Sequence, residues 1–177
     1  MEDHEIVRRV KKGETELYEI LVRRYEKKLC ALGWRMLHNR ADVEDAVQEA
    51  FMKAYRSLSR FRGDAQFSTW IYRITVNLIL NRIRKYSKMK EIDLDTDKIQ
   101  GADNPRASAR RSELKLATAR AIAELPPRQR AIFHMRYEEG RPHAEIARVL
   151  GLSEGAVKSS YHHAVFKLRE SLREFVE

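Results

Sequence analysis

Twenty residues near the C-terminus, Pro142 to Tyr161, constrain this chain more than any others. Ala144, Ile146, Ala147 and Leu150 recur at the spacing of one apolar helix face. Gly151 follows, the residue type that takes a positive φ and ends a helix. Ser153 then stands where an N-cap belongs, with Glu154 in the first turn of a second helix. In that helix Val157, Tyr161, Val165 and Leu168 fall on an inward face, and Lys158, Ser159, His162 and His163 on an outward one. The pattern is a helix-turn-helix. Its outward row suits a DNA major groove, with Lys for guanine edges or phosphate and Ser and His for bases or backbone. The plain alternative is a structural helix pair joined by a glycine turn.

The remainder reads as helix throughout. Leu17, Leu21, Tyr25, Leu29, Leu32 and Met36 repeat at threes and fours. His38-Asn39-Arg40 interrupts the pattern, and Asp42 is a candidate cap for a helix from Val43 to about Ser57. Arg62-Gly63-Asp64 marks a turn before a third helix from Ser68 or Thr69 to Lys85. Residues 87–113 change in kind, with acids at 91, 93, 95 and 97 and then Gly101-Ala-Asp-Asn-Pro105, the composition of a linker. Helices are expected again from Leu114 to Leu125, stopped by Pro126-Pro127, and from Arg128 to Glu138. The fold class is therefore all-α: a module over 1–86, a flexible linker over 87–113, and a module over 114–177 that contains the helix-turn-helix.

Charge and composition narrow the function. The net charge is +9, with 18 basic against 12 acidic residues over 1–86, balance over 87–113, and 11 against 8 over 114–177. That excess favours a polyanionic partner. One cysteine, Cys30, excludes an internal disulfide and a multi-cysteine metal site. The acidic start and the lack of a long apolar run fit neither a secretion signal nor a membrane span, so a cytoplasmic protein is expected. There is no glycine-rich phosphate loop, nucleophile elbow or zinc-protease pattern. His162 and His163 are neighbours, pointing about 100° apart on a helix, and do not meet one metal. No catalytic residue, metal or cofactor is expected.

Two further segments invite a binding role. Between Arg60 and Lys85 six basic residues accompany one acid, interleaved with Phe61, Phe67, Trp70 and Tyr72. Arg73, Asn77, Asn81 and Arg84 share a helix face, with Ile71, Ile74, Leu78 and Ile83 on the other. Aromatic rings beside cations and amides are what single-stranded DNA requires, although a core of aromatics under a solvated charged face gives the same pattern. By contrast, Asp42, Glu44, Asp45 and Glu49 make one helix acidic until Lys53. The helix dipole suffices to explain early acids. A face for a basic protein partner is the sharper reading.

Three motifs, in this order and spacing, carry a resemblance. Asp42-Val-Glu-Asp-Ala-Val-Gln-Glu-Ala-Phe51, Phe67-Ser-Thr-Trp-Ile-Tyr-Arg-Ile-Thr-Val-Asn77 and Glu124-Leu-Pro-Pro-Arg-Gln-Arg-Ala-Ile-Phe133 together resemble bacterial sigma factors, more narrowly the extracytoplasmic-function (ECF) group. The likeness covers roughly 14–86 and 114–173. It implies a subunit that binds core RNA polymerase and directs initiation at promoter DNA, with an anti-sigma protein as regulator and as a route to the membrane. By resemblance, Asp42, Asp45, Gln48, Glu49 and Phe51 dock on polymerase. Arg62, Trp70, Arg73, Asn77, Asn81, Arg84 and Lys85 hold the −10 strand. Ser153, Gly155, Lys158, Ser159, His162 and His163 read the −35 element. The chain departs from the family in having Ser160, His163 and Val165 where arginines are frequent, and Asn81 where Asp is frequent. The resemblance also offers the acids at 91–97 a place in the polymerase channel, beside the plainer role of solvated spacer. The rival function is a stand-alone helix-turn-helix regulator, which leaves the acidic helix and the Trp70–Arg84 face without a task.

Overall fold

Every residue of the first apolar repeat from Leu21 to Met36 is buried, and they line one side of the long helix α2 (Tyr18–Leu37). His38, in the left-handed region at φ 53°, ends it. The computed structural model describes residues 1–90 and 107–176, so most of the linker, including its four acids, lies outside the described residues. Among the described residues all regular structure is helical. Ahead of α2 stand α1 (Asp3–Lys11), which no sequence pattern had marked, and a short turn at Thr15–Leu17.

Helix α3 (Arg40–Ser57) starts two residues before Asp42, because Asn39 is the cap: its side chain accepts from the Asp42 amide at 3.0 Å. Asp42 sits instead in the first turn, where its charge suits the dipole. Gly33 lets α2 and α3 approach closely. A Cβ there would lie 3.0 Å from Val43 Cγ1 and 3.7 Å from Ile79 Cδ1. That second neighbour belongs to α4 (Phe67–Lys90), which runs past the expected end at Lys85 because nothing from Tyr86 to Lys90 breaks a helix. Its buried face is wider than the sequence pattern, taking in Tyr72, Thr75, Val76, Ile79 and Leu80 as well as Ile71, while Ile74, Leu78 and Ile83 are only partly covered.

The second half opens with α5 (Ala107–Ala123), which begins inside the expected linker. Then follow α6 (Pro127–Phe133), a π-helical turn at His134–Glu138, α7 (His143–Leu150), α8 (Glu154–Ser171) and the short α9 (Arg173–Val176). Gly151 ends α7 at φ 65°, and the Ser153 hydroxyl accepts from the Ala156 amide at 3.2 Å, as the helix-turn-helix pattern requires.

The halves do not stand apart. Helix α7 packs on α4, and Ile146, Ala147, Val149 and Leu150 join Ile71, Tyr72, Val76 and Ile79 in one continuous core. The second half keeps only a small core of its own, from Ala121, Leu125, Phe133, Ala164 and Leu168. A module of this size buries too little alone to be robust, which is a physical reason to share a seam. Across that seam Arg141 lies with its guanidinium carbon 3.5 Å from the centre of the Tyr72 ring, and Arg35 of α2 pairs with Glu138.

Candidate functional site

Three surfaces gather the candidate residues. On α3, Asp45 and Gln48 are exposed, whereas Asp42 and Glu49 are already engaged. Arg82 of α4 reaches Glu49 at 3.4 Å and Asp42 at 3.8 Å, and the Tyr86 hydroxyl donates to Asp42 at 2.6 Å. Lys53 adds a pair to Glu49 at 2.8 Å, and the hydrogen bond from that ammonium is the main reason the Glu49 carboxyl is held below its usual range. The helix is acidic by sequence, but two of its acids bind it to α4. Asp45 takes part in no hydrogen bond or ion pair among the described residues. Phe51 is a correction to the surface reading: it is 6% exposed, and its carbonyl accepts from the Tyr18 hydroxyl at 2.8 Å.

Sequence reasoning missed what lies beside Gln48. A groove of about 710 Å³ runs between α2 and α3, floored by Val22, Val47 and Phe51 and flanked by the exposed Met52 and Tyr55. Glu16, Glu19, Glu26 and Glu44 rim it. An apolar floor with an acidic rim suits an amphipathic segment with basic flanks. The signal was present as Met52 and Tyr55 one turn and two turns beyond Gln48, but such residues read as core until the structure leaves them open.

On α4, Arg73, Asn77, Asn81, Arg84 and Lys85 are all exposed along one side, and Arg62 is exposed in the preceding loop. Trp70 is half-buried in a cluster of rings, with its centroid 4.8 Å from Phe61 and 5.8 Å from Phe67. Tyr25 extends the cluster at 5.8 Å from Phe67. A cation and amide row beside partly open rings fits an unpaired strand, whose phosphates meet the charges while bases meet the rings. Arg73 also adjoins the helix-turn-helix: its Nη2 is 3.9 Å from the Cβ position at Gly151. Tyr72, one residue before, is turned into the seam and fully buried, and burial pushes its phenol up to about 12.

On α8, Ser153, Gly155, Lys158, Ser159, His162 and His163 are exposed together. The Ser153 cap consumes the Ala156 amide, so a phosphate at this N-terminus is left the amides of Glu154 and Gly155. Lys158 leans back on Glu154 at 2.9 Å, and the hydrogen bond from its ammonium holds the Glu154 carboxyl below the usual range. The outward row continues to Phe166, which is 59% exposed. Among the described residues no group of His, Cys, Asp and Glu is placed to hold a metal, and no helix is long and apolar enough to cross a membrane.

A helix-turn-helix and a basic row beside open rings, with a separate acid-rimmed groove, define a class of helical DNA-binding protein. The comparisons agree. The model for sigma-70 region 2 matches residues 21–89, and that for sigma-70 region 4 matches 115–168. The chain is 36% identical to the ECF RNA polymerase sigma-E factor of Escherichia coli, over 96% of this chain and 92% of that one. It is 31% identical to the RNA polymerase sigma-H factor of Pseudomonas aeruginosa, over 97% and 92%. Among solved structures, CnrH in complex with the cytosolic domain of CnrY is similar with TM-score 0.73 and 25% identity, covering 97% of both chains. The sigma factor RpoE of Bartonella quintana, solved with the anti-sigma factor NepR, shares the fold with TM-score 0.67 at 19% identity, over 88% of this chain and 96% of that one. The chain belongs to the sigma-70 family, in its ECF group, and its function is promoter-specific initiation of transcription.

Proposed function

We propose that three faces divide the work of initiation. Asp45 and Gln48 on α3, with the acid-rimmed groove beside Gln48, dock core RNA polymerase. Asp42 and Glu49 contribute through the charge they share with Arg82, and Phe51 supports the groove from below. The α4 row from Trp70 to Lys85, with Arg62, holds the non-template −10 strand once the duplex opens. Extruding a base costs a few kcal/mol, which ring contacts offset. The α8 row from Ser153 to His163 enters the major groove at −35. The chain brings no chemistry of its own; nucleotide addition stays with the polymerase, in the cytoplasm where that enzyme works. An anti-sigma partner is supported by the structures of CnrH with CnrY and of RpoE with NepR.

The observation that carries this reading is that an exposed acid-rimmed face on α2 and α3, an exposed cationic row on α4 and an exposed polar row on α8 occur on one chain. A stand-alone regulator uses only the α8 row. Run-off transcription with purified core polymerase tests the choice: the chain is expected to bind core and to start transcripts at a cognate promoter. Tight promoter binding without any affinity for core would reject it.

A further inference from the structure

Helix α1 lies wholly outside the stretch that matches sigma-70 region 2, which begins at residue 21. It holds to α2 and to the turn at Leu58–Arg60 through Ile6, Val7 and Val10, all buried. Its two polar ends do something more particular. At the start, the Asp3 carboxylate accepts from the Tyr25 phenol and pairs with Arg24. At the end, the Lys11 ammonium donates to the Phe61 carbonyl and lies 6.0 Å from the centre of that ring. Tyr25 touches Phe67, and Phe61 touches both Phe67 and Trp70, so the two ends of one helix grip opposite sides of a single aromatic cluster. Burial, with the hydrogen bond to Asp3 behind it, pushes the Tyr25 phenol well above its ordinary value, so it remains a donor to Asp3. A cavity of about 450 Å³ lies between the grips, lined in part by Asp3, Tyr25, Phe61, Gln66 and Phe67.

We propose that α1 is a positioning helix for the −10 cluster, with Lys11 and Asp3 as its positioning residues. This rests on the reading that the cluster around Trp70 meets unpaired bases. Lys11 fixes the carbonyl from which the 61–66 loop departs, and Asp3 fixes the ring on which Phe67 rests. A strand gains most from rings already held in place, because ordering them on binding would cost affinity. Lys11 is exposed, and an exposed polar contact adds little to global stability. Adhesion of α1 is the task of Ile6, Val7 and Val10, which leaves Lys11 and Asp3 free to set geometry.

The test uses the full chain assembled with core polymerase and two labelled probes, a dT 12-mer and an abasic 12-mer of the same charge. Their affinity ratio isolates base contact, since loss of the Lys11 charge affects both probes alike. Lys11→Met and Asp3→Ala are each expected to lower the ratio about three- to tenfold, with core affinity unchanged in both, Tm unchanged in Lys11→Met, and Lys11→Arg keeping the native ratio. If Trp70→Ala lowers the ratio while Lys11→Met and Asp3→Ala do not, α1 positions nothing. A Lys11→Met ratio that falls only in step with Tm, or a ratio that falls in Lys11→Arg as well, also overturns the proposal. If Trp70→Ala leaves the ratio unchanged, or the native chain has no preference for dT, the underlying reading of the cluster fails instead, and the proposal with it.

Discussion

The guanidinium of Arg141, 3.5 Å from the centre of the buried Tyr72 ring, joins the helix-turn-helix half to the helix whose next residue, Arg73, begins the exposed α4 row. Glu139, at 2.7 Å, and Glu145 hold the cation in place. Elements named −35 and −10 stand about 25 base pairs apart, roughly 85 Å along B-DNA. A folded chain of this length has a radius of gyration near 16 Å by size scaling, roughly 40 Å across, so the closed seam does not let both rows meet their elements at once.

Weakening the seam therefore costs stability and spares initiation. Arg141→Ala removes a desolvated cation–π contact worth about 2 kcal/mol and leaves two carboxylates facing each other. A lower Tm and a larger radius of gyration by X-ray scattering are expected, with run-off transcription retained or raised. A variant of native dimensions would mean that the apolar seam alone holds the halves. Reduced transcription at equal folded protein would mean that the seam serves the active form.

Docking on polymerase is expected to depend on Asp45 far more than on Asp42. Charge reversal at an interface is strongly unfavourable, and Asp45 has no ion pair to lose among the described residues. Asp45→Arg should weaken core binding by about tenfold or more. Asp42→Asn, whose carboxylate is shared with Arg82 and Tyr86, should cost much less. Anisotropy titration of labelled chain with core polymerase gives both values. Native affinity in Asp45→Arg would remove α3 from the docking face.

The three principal helices were legible because their caps and periods are local. The α3 cap was the exception: the sequence pattern offered Asp42, but the Asn39 side chain accepts from the Asp42 amide and caps the helix. What escaped reading is non-local. Nothing in the spacing of Tyr72 and Arg141 joins them, and Arg82 neutralises acids more than thirty positions earlier. Helix α1 hid because nine residues with three apolar ones make too short a repeat to stand out from charge. Phe51 sits within a recognisable motif, yet its burial depends on α2, which the motif does not contain.

Gly33 makes a separate prediction about the core. A bulky side chain there meets Val43 at once, so Gly33→Val should destabilise by about 1–3 kcal/mol through overpacking. Gly33→Ala sets a helix-propensity gain of up to about 1 kcal/mol against a 3.0 Å contact, and should lie near neutral if the Val43 side chain yields. Urea unfolding measures both. A Gly33→Val chain as stable as the native one would show that α2 and α3 have room to spare.

Acid should loosen the seam through His134. This side chain is 4% exposed, with Nδ1 2.8 Å from Glu138, the residue that pairs with Arg35. Burial lowers its pKa despite Glu138, and Arg35 and Arg130 act in the same direction. His38 is lowered as well, by burial and then by Arg130. A folded-state value below the unfolded 6.5 means that the unfolded chain takes up protons first. The stabilisation is whole above 6.5 and is lost as pH falls through the lower folded value. Tm is thus expected to drop between pH 7.5 and 5.5, and His134→Gln to flatten part of that drop. An identical slope in native chain and variant would place the sensitivity elsewhere.

At the −35 row, Glu154 works against the cation beside it. Its carboxylate suits the helix N-terminus, but it holds Lys158 at 2.9 Å and would face phosphate once DNA arrives. Lys158→Ala should weaken −35 duplex binding about tenfold, and if Lys158 meets phosphate the salt slope should fall by about 1. If it meets a guanine edge instead, the loss should be confined to the cognate duplex. Glu154→Gln frees the lysine and removes a negative charge, so it should tighten duplex binding, most at low salt. Binding of a −10 single strand should survive both changes, because that row lies on α4. Titrations of cognate and scrambled duplexes over a range of salt concentrations separate these outcomes. Weaker binding by Glu154→Gln would show that the carboxylate charge supports duplex binding and would overturn this account.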